Sequence, residues 1–126
     1  MTDLLSLDLK SFAEEGVSVQ LTHPITSEKL DSYITVKGAD SSAYKNALIA
    51  VSKSKTAGAD GDFESDGAEI MAAITINWKG LSLGKEELVF SREEAFKIYK
   101  QYSWISDQVF SAINDRTLFL ANAEAS

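Results

Sequence analysis

Residues 17–21, Val-Ser-Val-Gln-Leu, alternate apolar and polar side chains, and residues 32–37, Ser-Tyr-Ile-Thr-Val-Lys, are rich in β-branched and aromatic groups. A period of two places one set of side chains on one face, the pattern of a half-buried strand. Between the two runs lies His23-Pro24-Ile25-Thr26-Ser27-Glu28-Lys29, which holds the chain's only proline and reads as a turn. The three segments predict a β-hairpin. A lone hairpin is marginal in water, so its apolar face has to be laid on other elements. The rest of the chain supplies mainly helices. The expected fold is therefore α+β: a predominantly helical small single domain, residues 1–126, with an N-terminal β-hairpin packed on about four helices.

The helical pattern recurs along the chain. Leu5, Leu9 and Phe12 are spaced for one helical face over residues 4–15, with Asp3 or Ser6 as caps and Gly16 as a stop signal. Gly38–Ser42 leads into a second helix, capped by Asp40 or Ser41, whose stripe is Ala43, Tyr44, Ala47, Leu48 and Val51 and which runs to about Ser54. Residues 55–67, KTAGADGDFESDG, mix glycine, alanine and acids and predict a flexible acidic loop. Asp66 with Glu69 makes a cap-like pair before Ala68–Trp78. Ile70, Met71, Ile74 and Trp78 share a helical face there, although Ile74–Trp78 also alternates as a strand would; length and cap favour the helix. Leu81–Phe90 predicts an extended loop or short hairpin. Ser91-Arg92-Glu93-Glu94 is a capping box for a helix with Ala95, Phe96, Tyr99 and Tyr102 on one stripe. Ser103 is then expected to cap the last helix.

A chain of 126 residues fits one domain. Such a domain buries roughly two-thirds of its unfolded surface and needs no staple. The absence of cysteine removes disulfides, thiolate nucleophiles and zinc–sulfur sites, and fits a reducing cytoplasm. Nineteen acids against twelve bases give a net charge of −7, and the lysines are scattered, so no nucleic-acid footprint is expected. The opening MTDLLSLDLKSFAEEG has acids among its leucines and no basic stretch, unlike a signal peptide. No apolar run reaches the ~20 residues of a membrane helix, so no membrane partner is expected.

Residues that carry chemistry elsewhere have plainer explanations here. His23, the single histidine, precedes proline in the turn, and nothing nearby in sequence supplies a nucleophile or an orienting acid. Asp60–Gly67 invites a calcium reading, but a loop begun at Asp60 puts Met71, and one begun at Asp62 puts Ala73, where the bidentate glutamate belongs. Glu86-Glu87 and Glu93-Glu94 are neighbours in sequence only, and the second pair suits a helix N-terminus. Trp78 belongs to the core. No nucleotide-binding, nucleophile-elbow or HExxH pattern is present. The expectation is a non-enzymatic protein with no catalytic residue, cofactor or metal.

Residues 102–120, YSWISDQVFSAINDRTLFL, hold only three charges. As one helix they place Ile105, Val109, Ala112 or Ile113, Arg116 and Leu120 on one face, and Phe110, Asn114, Thr117, Leu118 and Ala121 on another. The first face is expected to close the core. Trp104, Phe110, Leu118 and Phe119 are the expected partner-binding residues, because large aromatics are enriched at binding hot spots and exposed apolar patches mark interaction surfaces.

The order of elements resembles the small tail assembly chaperones of long-tailed, lambda-like and HK97-like bacteriophages. The resemblance covers roughly residues 10–120. It is carried by VQLTHPIT…LDSYITVKGADS, by Trp78-x-Gly80, by the glycine-containing loop to Phe90-Ser91, and by Tyr102-x-Trp104-Ile105 with the closing Phe119. It implies a mostly helical α+β protein without enzymatic activity that works in the host cell cytoplasm as a late protein. Its partners would be the tape measure protein and, through a frameshifted longer form, the tail tube protein; self-association is implied too. Such a chaperone promotes tail tube assembly and is absent from the mature virion. The alternative is a structural tail or head–tail connector component of the virion, and a small enzyme or metal-binding regulator comes third.

Overall fold

The computed structural model describes residues 1, 3–56 and 63–125, and their side chains other than those of 54–56, 63–65 and 121–125. The architecture is α+β and helix-rich, with six α-helices and a three-stranded sheet among the described residues. The hairpin forms as the alternation requires. β1 (Val17–Thr22) and β2 (Lys29–Val36) are antiparallel, with Val17 opposite Val36 and Val19 opposite Ile34. Val17, Leu21, Ile34 and Val36 are buried on one face, and Ser18, Gln20, Tyr33 and Thr35 lie on the other.

A third strand corrects the sequence expectation. The helix α3 (Phe63–Ile74) ends before Trp78, and Thr75–Lys79 is a strand, β3, paired antiparallel to β2. Residues 74–78 carry both periodicities, and tertiary demand decides between them. The hairpin has an edge to fill, and β-branched Ile-Thr-Ile with tryptophan suits a pleated surface. The Thr75 hydroxyl donates to the Met71 carbonyl, at 2.8 Å, at the point where the helix stops. Ile76 is skipped in the register between Thr75 and Asn77, which bends the strand.

Other boundaries shift as well. The N-terminal helix divides into a 3-10 turn, Leu4–Leu7, and α1 (Leu9–Glu15), because Asp8 caps a new start by accepting the Ser11 N–H. Gly16 follows at φ 85°, in the left-handed region, with the Val36 carbonyl 2.8 Å from where a Cβ would sit. α2 (Ser42–Thr56) follows the Gly38–Ser41 turn as expected. The flanks of the expected 55–67 loop are helical, α2 reaching Thr56 and α3 starting at Phe63; the centre of that expected loop, 57–62, lies outside the described residues. β4 (Ser82–Leu83) and β5 (Glu86–Glu87) make the short hairpin. Ser91 caps α4 (Arg92–Gln101) by accepting the Glu94 N–H at 3.1 Å.

The final stretch is two helices, not one. α5 (Ser103–Ile113) begins without a side-chain cap, so Ser103 does not cap it. Asn114 donates its side-chain amide to the Phe110 carbonyl, and Asp115 accepts the Leu118 N–H, which ends one helix and starts α6 (Arg116–Ala125). The core gathers the buried face of the sheet against Met71, Ala72 and Ile74 of α3, Ala95, Ile98 and Tyr99 of α4, Ile105, Val109 and Ile113 of α5, and Phe119 of α6. Trp78 is buried as expected. Its indole N–H donates to the Leu88 carbonyl at 3.0 Å, and its ring meets Phe90 edge-on at 5.1 Å.

One position on each edge of the sheet is covered by a side-chain amide. Gln108 of α5 accepts the Thr22 N–H and donates to the Thr22 carbonyl, both at 2.9 Å, as a neighbouring strand would. On the far edge the Asn77 side chain accepts the Trp78 N–H at 2.9 Å. Such devices discourage strand addition.

Candidate partner-binding surface

The four expected partner-binding residues do not share one environment. Phe119 is 3% exposed and belongs to the core. Trp104 and Leu118 are half-buried and packed against it. Phe110 alone of the four is exposed, at 54%, on α5. A new helix begins at Arg116 after the Asn114–Asp115 break; its Phe119 reaches the core, and the Arg116 side chain stays largely exposed.

The larger apolar surface lies at the other end of the chain. Leu4 and Leu5 are 77% and 82% exposed, Leu7 and Met1 are exposed too, and no residue of the 3-10 turn is buried. Local bonds shape this segment: Asp3 accepts the Leu5 N–H through its carboxylate, and its carbonyl accepts the Ser6 N–H and hydroxyl. The sequence signal was present in Leu4-Leu5-x-Leu7. Adjacent apolar positions cannot all face one side of a helix, and Asp8 separates them from the stripe of Leu9 and Phe12, which is half-buried.

This surface is set on an acidic body with a net charge of −7. Asp8 is held below the usual carboxylate range by its bonds from the Ser11 hydroxyl and N–H. Both Asp8 and Asp3 are thus engaged in shaping the backbone beside the leucines.

His23 fits the turn role. Its Nδ1 accepts the N–H groups of Ile25 and Thr26 at 3.1 and 3.2 Å, and its own N–H donates to Glu28 across the loop. The Asp60–Asp62 part of the calcium reading lies outside the described residues. Among the described residues no group of three or more His, Asp or Glu is placed to hold a metal ion, and no helix is long and apolar enough to cross a membrane. No protein-family model, curated protein or solved structure matches this chain.

Proposed function

We propose that the chain is a phage tail assembly chaperone that binds the tape measure protein, keeps its apolar helices soluble while the tail tube assembles around it, and leaves before the virion matures. The work is non-covalent and needs no cofactor, and its setting is the host cell cytoplasm. The observation that carries this reading is the exposure of Leu4, Leu5, Leu7 and Phe110 on an acidic body. A client of long apolar helices needs apolar contact, and a carrier of such contact needs charge to stay in solution. The side-chain amides over Thr22 and Trp78 work against strand addition at those positions. The resemblance of residues 10–120 to the chaperone family supplies the identity of the client. Recruitment of the tail tube protein through a longer form, and self-association, belong to the same proposal.

Co-expression with the tape measure protein tests it. The account predicts a larger soluble tape measure fraction with this chain than without it. An unchanged fraction contradicts it.

A further inference from the structure

Two exposed apolar surfaces of this chain carry opposite charge. The first is the leucine turn. Leu4, Leu5 and Leu7 are exposed, with Asp3 and Asp8 at either end of the turn. Residues 1–16 hold four acids, Asp3, Asp8, Glu14 and Glu15, against the single base Lys10. The second surface is the outer side of α2. Ala47 and Val51 of that helix are buried. Lys45, Leu48, Ile49 and Lys53 are exposed, Leu48 at 41% and Ile49 at 53%. Spacings of three and four place these along one side of the helix. Residues 42–56 hold three lysines and no acid, on a chain whose net charge is −7. Asp40, just before the helix, is already taken by the Arg116 guanidinium at 2.8 Å. The outer side of α2 is therefore locally positive on a negative body, and two large apolar side chains stand within it.

We infer that the outer side of α2 receives the leucine turn of a second copy of this chain. Leucines of one copy meet Leu48 and Ile49 of the other, and Asp3 and Asp8 meet Lys45 and Lys53. Turn against turn would set acid on acid, and α2 against α2 would set base on base. Like charges facing each other are costly, so the opposite signs select turn on α2. These few apolar side chains fall short of the roughly 20–30 residues a side of a stable complex, so the association is weak and grows with concentration. The inference rests on the self-association proposed above and gives it its surfaces. It also sets a competition. The same leucines are proposed to meet the client, so a bound copy and a bound client exclude each other at that turn.

Sedimentation velocity of the chain alone tests this. No client is present, so the inference can fail while the client proposal stands. One variant carries Leu4→Ser and Leu5→Ser, the other Ile49→Ser and Lys53→Glu; all four positions are exposed. The wild-type chain is expected to associate as its concentration rises. That association should weaken about tenfold as ionic strength rises from about 0.01 M to about 1 M, where the screening length falls from about 30 Å to about 3 Å. Each variant alone should stay monomeric. An equimolar mixture of the two should regain dimers, because one supplies an intact α2 surface and the other an intact turn. A wild-type chain that stays monomeric overturns the proposal and leaves α2 to a different partner. Association of either variant alone, a mixture without dimers, or indifference to salt overturns it as well.

Discussion

Tyr99 is 3% exposed, and its hydroxyl lies 2.7 Å from the Thr75 Oγ1. The Thr75 proton is already given to the Met71 carbonyl, so Tyr99 donates here, tying α4 to the point where α3 becomes β3. Burial pushes the Tyr99 phenol up from 10.0 to about 12. A folded-state value above the unfolded one means that the stabilisation is complete below pH 10 and fades as pH rises toward 12. Over that interval the wild type should lose about 2–3 kcal/mol more than Tyr99→Phe, as read from urea unfolding at successive pH values. Near neutral pH the same variant should lose about 1 kcal/mol, the net worth of a hydrogen bond. Two phenylalanines nine positions apart give a second contrast. Phe119→Ala empties a closed site and should cost about 3–5 kcal/mol. Phe110→Ala removes an exposed ring and should cost less than about 0.5 kcal/mol. Unfolding midpoints in urea separate the two.

Elements formed where local pattern and tertiary demand agreed. The hairpin, α2 and α4 follow from alternation, stripe and the Ser91 cap, and the structure keeps them. Residues 74–78 carried two patterns, and only the open edge of β2, invisible in sequence, decided for the strand. Asn114-Asp115 is a stop and a start in adjacent residues, legible once both are read as caps; Phe119 was expected at a surface from its aromatic character alone, and the structure buries it. The exposed leucines were hidden by treating 4–15 as one helix. Asp115→Ala should remove the cap of α6, cost about 1 kcal/mol, and speed amide exchange in residues 116–125 before any other helix. Acid should do the same. The Arg116 guanidinium holds the Asp40 carboxyl below its ordinary value, so the pair contributes above that ordinary value and is lost as pH falls through the lowered one. Gln108→Ala leaves the Thr22 edge open. It should lower stability by about 1–2 kcal/mol and increase association through β1, seen as earlier elution in gel filtration.

Most large apolar residues enclose a core, and a smaller set stays exposed, Ile25 and Val89 among them as well as the Leu4–Leu7 turn and Phe110. The sheet, α3, α4 and α5 enclose one core, and α6 closes its end through Phe119. The Leu4–Leu7 turn and Phe110 take no part in that enclosure. In the proposed function they are the surplus offered to apolar helices, on a body whose net charge of −7 would keep such a carrier dispersed. Replacing Leu4, Leu5 and Leu7 together by serine should change stability by less than about 0.5 kcal/mol, since none is buried. The same variant should fail to raise the soluble fraction of co-expressed tape measure protein. The most direct measurement is affinity capture of this chain from phage-infected cells, alongside a protein inventory of purified virions. The account predicts the tape measure protein in the captured assembly intermediates and no trace of this chain in virions. Stoichiometric incorporation into virions, with no tape measure protein in the captured material, would contradict it.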